Sequence, residues 1–198
     1  MLISRKHHLL FLHNPKTAGM ALTKWLTTYH SFNPAYASDA EHCRECWKVN
    51  RHCCCMAGEL YDRYRLRSVT VVRQPELRAL SQWRYLTDTR LTNLPFSVWL
   101  VDGKCTSQIP YWMAAKTTDG IVLRFEHLET DLLNLGFLCP SDIQNNPLPR
   151  VNFGSYRDND FDMIHNNPDI REILEHTLAE EYQHLGYSYG SQFEEATT

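Results

Sequence analysis

No apolar run in this chain approaches the roughly 20 residues that a bilayer-spanning helix requires. The first residues, Met1-Leu2-Ile3-Ser4-Arg5-Lys6-His7-His8, lack a signal-peptide layout, because the apolar run after them is strand-length and ends in a polar turn. These absences predict a cytoplasmic protein with no membrane span. Internal repeats and low-complexity tracts are missing too. So is the Gly-x-x-x-x-Gly-Lys-Ser/Thr loop of nucleoside-triphosphate enzymes. Nor is there a dense basic run: the arginines are interspersed with structural positions, which speaks against a nucleic-acid partner. What remains is an ordinary globular composition, 43% hydrophobic and 22% charged. Its 198 residues suit one domain over 1–190, with a frayed tail at 191–198.

The formal net charge of -3 hides an asymmetry. Residues 1–90 carry 14 Lys/Arg against 7 Asp/Glu, whereas residues 91–198 carry 6 against 16. The positive half suits an anionic ligand.

The seven cysteines are lopsided. Cys43, Cys46, Cys53, Cys54 and Cys55 crowd one segment, and Cys105 and Cys139 stand alone. Free thiols in a reducing compartment are one reading. A zinc site built on Cys43-x-x-Cys46 with His52 or a following cysteine is another, although the second ligand pair is adjacent rather than spaced.

Strands and helices alternate along the chain. His8 to Leu12 reads as a buried strand running into a lysine-bearing turn and a helix over Thr17 to Tyr29. Residues 30–56 are polar and irregular, as functional loops often are. Arg67 to Arg73 is a β-branched strand, and Pro75 opens a helix over Glu76 to Arg90. Ile121 to Phe125 is a third strand, followed by a helix from Glu126 to Leu135. Pro168 opens a last helix over Asp169 to Leu185. This order predicts an α/β fold: an open parallel β-sheet with helices on both faces.

Two segments carry chemistry. In Pro15-Lys16-Thr17-Ala18-Gly19, Lys16 supplies a cation, Thr17 can cap the helix, and Gly19 permits close backbone approach. Strand, turn and helix N-terminus together make an anion site. In Val72-Arg73-Gln74-Pro75-Glu76-Leu77-Arg78-Ala79-Leu80-Ser81, Arg73 lies at a strand's carboxyl end, where open parallel sheets bind ligands. Arg73 and Ser81 converge as a phosphate clamp. Arg78 either joins that clamp or forms a structural salt bridge. Trp83, Tyr85, Tyr111 and Trp112 are either core or the lining of a sugar cleft.

The pair Pro15-Lys16-Thr17-Ala18-Gly19 and Val72-Arg73-x-Pro75-x-x-Arg78-x-x-Ser81 resembles the two signature motifs of sulfotransferases that use 3′-phosphoadenosine 5′-phosphosulfate. The likeness is nearest the carbohydrate branch that includes heparan sulfate 2-O-sulfotransferase. Weaker echoes follow in Arg124-Phe125-Glu126-His127-Leu128-Glu129, in Val151-Asn152-Phe153 and in Leu185-Gly186-Tyr187-Ser188. The resemblance implies the P-loop-like sulfotransferase fold. It implies that Lys16, Thr17, Ala18, Gly19, Met20 and Ala21 hold the 5′-phosphosulfate, that Arg73 and Ser81 hold the 3′-phosphate, and that Arg157 joins the donor-binding set. Lys16 is then also catalytic, stabilising the bridging oxygen as the sulfuryl group leaves. Two positions depart from the family pattern. Met20 and Ala21 stand where hydroxyl residues often follow the glycine, and Trp83 stands where tyrosine is common.

The acceptor, a hydroxyl and in this branch a saccharide, needs a general base. The resemblance points to His52 as the catalytic base, with His42 next and Glu59 and Glu126 as lesser candidates; a histidine has a suitable pKa for the task. His7, His8 and His13 read as structural. No metal is required, since Lys16, the helix terminus and Arg73 supply the positive field. Two rivals stand beside this reading: an ATP/magnesium-dependent small-molecule kinase, and a non-catalytic nucleotide-fold scaffold organised by the Cys-rich segment. The protein is expected to be a monomer or a homodimer.

Overall fold

The computed structural model describes residues 1–34, 54, 57–149 and 158–190, with 158–161 described by backbone alone. In chain order the elements are β1 (Leu2–Ser4), β2 (Leu9–Leu12), α1 (Gly19–Tyr29), β3 (Asn33–Pro34), α2 (Ala57–Tyr64), β4 (Arg67–Val72), α3 (Pro75–Asp88), α4 (Phe96–Val101), α5 (Ile109–Thr117), β5 (Ile121–Arg124), α6 (Leu128–Leu132), α7 (Pro140–Asn145), α8 (Asp158–His165), α9 (Pro168–Thr177) and α10 (Ala179–Leu185). Short 3₁₀ turns at Phe125–His127 and Leu133–Leu135 flank α6. The chain forms two compact units, one of Met1–Val72 with Pro110–Asn152, the other of Arg73–Ile109 with Phe153–Thr198.

The first unit holds a five-stranded sheet in the order β3-β1-β2-β4-β5. β2, β4 and β5 are parallel, with Leu12 opposite Thr70 and Val72 opposite Arg124. The fold is α/β as expected, but the sheet is mixed rather than wholly parallel. β1 folds back antiparallel on β2 through the turn Arg5–His8, pairing Ile3 with Leu10, and β3 adds antiparallel to β1. Three residues of Leu-Ile-Ser are too few to show a strand period, and the charged turn after them masks the hairpin.

Side-chain alternation places one apolar set on each sheet face. Leu9, Phe11, Val69, Val71 and Leu123 pack with Leu22, Trp25 and Leu26 of α1 and with Leu128, Leu132 and Leu135. On the other face Ile3, Leu10 and Leu12 pack with Leu60 of α2, Leu66 and Tyr111 of α5. Helices therefore cover both faces, and β2 is buried along its whole length because it is sandwiched. Trp25, fully buried, also donates its indole N–H to the Asn146 carbonyl at 2.5 Å. Gly120 leads into β5 where a Cβ would lie 2.1 Å from the Ser68 carbonyl oxygen, so only glycine lets β5 approach β4 there.

The second unit packs Leu77 and Leu80 of α3, Phe96, Trp99 and Leu100 of α4, Ile164 of α8, and Leu174 and Leu178 around one core. Asn167 caps α9 by accepting from the Asp169 and Ile170 N–H groups at 3.1 and 3.2 Å, with Pro168 opening the helix as expected. The single helix expected over Asp169 to Leu185 is two, because Leu178 departs to φ -106°, ψ 14° while burying its side chain. The helix expected from Glu126 to Leu135 likewise breaks into a 3₁₀ turn, one turn and a half of α-helix, and a second 3₁₀ turn. There the Asp131 carboxylate turns back to accept the Arg124 N–H at 2.7 Å, fixing the end of β5 rather than extending a helix.

Candidate functional site

The first segment leaves β2 at the carboxyl edge of the sheet. Asn14, 1% exposed, donates its side-chain amide to the Val71 carbonyl at 2.8 Å and so ties the turn to the neighbouring parallel strand β4. Thr17, also 1% exposed, donates its hydroxyl to the Asn14 carbonyl at 2.8 Å. It therefore closes the turn; it does not cap the helix. The residue before α1 is Ala18, which makes no side-chain cap. Lys16 and Ala18 both take left-handed backbone conformations, φ 65° and 60°. Such backbone is costly outside glycine and concentrates at functional sites. It also delays the helix from Thr17 to Gly19.

The first bond along α1 is Leu22 N–H to Ala18 carbonyl, at 3.0 Å. The N–H groups of Gly19, Met20 and Ala21 precede it in the first turn of the helix, and Lys16, three residues before Gly19, is half-buried. Met20 is exposed and Ala21 buried. At Gly19 a Cβ would lie 1.9 Å from the His13 ring, so the glycine makes room for that imidazole. His13 itself is half-buried and stacks on Phe11 with 6.4 Å between ring centres. The expectation of close approach at Gly19 thus has a specific partner, one of the three histidines read as structural. Another of them, His7, stacks on Phe137 at 3.9 Å and near Phe32, and burial lowers its pKa.

The second segment follows β4. Arg73 is buried, and its main chain is held at both ends by one side chain. Its N–H donates to Gln108 Oε1 at 2.9 Å, and Gln108 Nε2 donates to its carbonyl at 2.8 Å. Gln108, fully buried, is fixed in turn by Glu181 of α10: its N–H donates to Oε1 at 2.9 Å and Nε2 donates to Oε2 at 3.0 Å. Arg78 completes this group. It is fully buried and pairs with Glu181 at 3.2 Å, with further contacts to Gln82, Thr106 and Cys105. Arg78 is thus the structural salt bridge of the two alternatives. Ser81 lies one turn further along α3, half-buried.

Beside it stands a second buried carboxylate. Glu76 accepts from Gln74 Nε2 at 2.8 Å, from the Tyr182 hydroxyl at 2.8 Å and from the Gly190 N–H at 2.9 Å. Gln74 Nε2 also donates to the Ser188 carbonyl at 2.8 Å. Burial and the Glu76 carboxylate hold the Tyr182 phenol protonated well above its ordinary range, and push Tyr189 up to about 12. Burial likewise raises the Cys105 thiol, against the pull of Arg78.

Asn14 and Pro15 close the strand in the sequence as well, but Glu76, Gln108 and Glu181 were not legible as site residues. Glu76 alone had a signal, a carboxylate just inside a proline-opened helix. The expected aromatic cleft separates by environment. Trp83 lies tilted against Phe96, 5.4 Å between ring centres, and donates to the Leu94 carbonyl at 2.9 Å, and Tyr111 is core, whereas Tyr85 is exposed and Trp112 half-buried. Of the base candidates, Glu59 on α2 and Glu126 after β5 are half-buried. His52, His42 and Arg157 lie outside the described residues, as do Cys43, Cys46, Cys53 and Cys55. Cys105 and Cys139 are free thiols. Among the described residues no group of three or more His, Cys, Asp or Glu side chains is placed to hold a metal, and no helix is long and apolar enough to cross a membrane.

No protein-family model matches this chain, and no curated protein or solved structure matches it either.

Proposed function

We propose that this protein is a sulfotransferase, moving a sulfuryl group from 3′-phosphoadenosine 5′-phosphosulfate to a hydroxyl acceptor, with a saccharide as the acceptor class. The observation that carries the reading is the Lys16 turn. It leaves a buried parallel strand at its carboxyl end, is tied to the next parallel strand by Asn14, and opens straight into α1. The turn joins a lysine to the N-terminus of a helix, a combination that suits a phosphate-type group. Because Thr17 directs its hydroxyl to Asn14 and hydroxyl residues are missing at 20 and 21, the main-chain N–H groups of Gly19, Met20 and Ala21 are the phosphate donors in this reading.

Arg73 and Ser81 take the 3′-phosphate end, following the likeness of the second segment to the sulfotransferase motif, and Arg157 joins the donor-binding set by the same resemblance. In the reaction a base, His52 by the same likeness, removes the acceptor proton. The acceptor oxygen bonds to sulfur as the bond from sulfur to the bridging phosphate oxygen breaks, and adenosine 3′,5′-bisphosphate departs. Lys16 offsets the charge that develops on that oxygen. This scheme calls on no metal.

Calorimetric titration tests the reading. Adenosine 3′,5′-bisphosphate is expected to bind the wild type more tightly than ATP with magnesium does, and to bind Arg73→Ala at least tenfold more weakly, as for the loss of one charge-assisted contact. No binding of the bisphosphate, or tighter binding of ATP with magnesium, sinks it. The second outcome favours a kinase.

A further inference from the structure

The ladder of β4 ends at Val72, which pairs with Arg124, the last residue of β5. Arg73 comes next and has left the sheet, so its N–H and carbonyl need partners from elsewhere if they are to be buried. Gln108 supplies both from one planar amide, at 2.9 and 2.8 Å. A primary amide accepting from an N–H and donating to the carbonyl of the same residue reproduces the pairing that a neighbouring strand would give. It fixes the peptide planes on both sides of Arg73 and hence the direction of its Cα–Cβ bond.

Gln108 does not hold itself. Its two donors end on the two oxygens of Glu181, whose remaining charge is balanced by Arg78. All three residues are at most 4% exposed. The order is therefore Arg78, Glu181, Gln108, then the main chain of Arg73. Among the described residues Arg78 Nε has no hydrogen-bond partner, but Arg78 Nη2, Glu181 and Gln108 are paired with one another, and a rotation of Gln108 or Glu181 would leave a buried donor or charge without its partner.

We infer that Gln108 is a positioning residue for Arg73, with Glu181 as its anchor, and that this clamp sets the recognition of a 3′-phosphate. The inference rests on the sulfotransferase reading, in which Arg73 binds that phosphate. It assigns the segment around Gln108 and the last helix, neither part of the two recognition segments, to the building of the donor site. A planar group with a fixed origin binds phosphate at less entropic cost than a mobile one.

The test compares two ligands differing only in the 3′-phosphate: adenosine 3′,5′-bisphosphate and adenosine 5′-monophosphate. Their affinity ratio is measured by calorimetry for wild type, Arg73→Ala, Gln108→Leu and Gln108→Glu. Gln108→Leu keeps volume and removes both contacts. Gln108→Glu keeps the acceptor for the Arg73 N–H and loses the side-chain donor to the Arg73 carbonyl and to Glu181. Circular dichroism and thermal unfolding select the variants that fold. In a folded variant the ratio is expected to drop about tenfold toward that of Arg73→Ala, the size of one charge-assisted hydrogen bond made poorly. A role confined to stability would weaken both ligands equally and leave the ratio alone, and that result overturns the clamp. If the wild type shows no preference for the bisphosphate, the donor reading falls and the clamp's role falls with it. If Arg73→Ala abolishes the preference while both folded Gln108 variants retain it, the clamp alone is wrong.

Discussion

At the scale of single residues, the proposed function turns on Lys16. Its φ of 65° places a non-glycine side chain in left-handed backbone. That arrangement costs about 1 kcal/mol and is retained only where surrounding structure enforces it. Here Asn14 and Thr17 provide the enforcement, each through a buried 2.8 Å bond to a main-chain carbonyl. Replacing Lys16 with Ala keeps the turn, since alanine already tolerates the same conformation two residues on. The replacement should therefore leave folding intact and lower sulfuryl transfer by roughly a hundredfold or more, as losing one preorganised charge does. A transfer assay with radiolabelled or coupled donor reads it directly, and unchanged turnover removes Lys16 from the mechanism. Lys16 was legible from its neighbours in the chain, strand before and helix after. Gln108 was not: it lies 35 residues from Arg73 and 73 from Glu181, and no local pattern encodes those bonds.

At the scale of elements, long apolar stretches with a clear period were readable and short ones were not. β2, β4 and β5 emerge from the sequence within a residue or so of their ends, because each is rich in Leu, Val or Ile; β2 and β4 are buried on both faces, whereas of β5, at the sheet edge, only Leu123 is buried. β1 and β3, three and two residues long, carry no period. The last helix shows the opposite failure: its apolar spacing runs unbroken through Leu178, yet the backbone bends there to bury that side chain. The bend delivers Glu181 to Arg78 and Gln108. Buried and exposed ion pairs then make a contrast that can be measured. Arg78→Ala leaves the Glu181 charge buried without its cation, which typically costs about 3–5 kcal/mol. Arg171 and Glu175 pair at 2.9 Å on the surface of α9, with the guanidinium also 5.1 Å from the Tyr189 ring centre, and Glu175→Ala, which removes the ion pair alone, should change stability little. Chemical denaturation of both variants gives the comparison. Similar small losses would mean that the Arg78–Glu181 pair adds little to the second unit.

At the scale of the whole molecule, stability should depend on pH from both sides. His7, His30 and His165 all have pKa values lowered in the folded chain, in each case mainly by burial. Lys6 lowers His7 further, while Asp142 beside His30 and Glu76 near His165 oppose the shift. His30 packs against Trp25 at 4.1 Å and Phe137 at 5.8 Å, a poor setting for a charge. In the unfolded chain these histidines protonate near pH 6.5. Between that value and the lower folded values, the unfolded state binds more protons, so stability is complete above about pH 6.5 and falls as the pH drops. The tyrosines act in the other direction. Tyr182 and Tyr189 have raised values, Tyr189 up to about 12, so the folded state keeps protons that the unfolded chain releases near pH 10. Their contribution is complete below about pH 10 and is lost above it. Thermal unfolding across pH 5–11 should trace a plateau between these limits. His30→Phe should flatten the acid side, because it removes a titrating group while keeping an aromatic ring against Trp25 and Phe137. Tyr182→Phe should lessen the alkaline fall at the expense of one hydrogen bond to Glu76. A melting temperature that stays level below pH 6.5 in the wild type would show that the histidines protonate in place without loosening the fold.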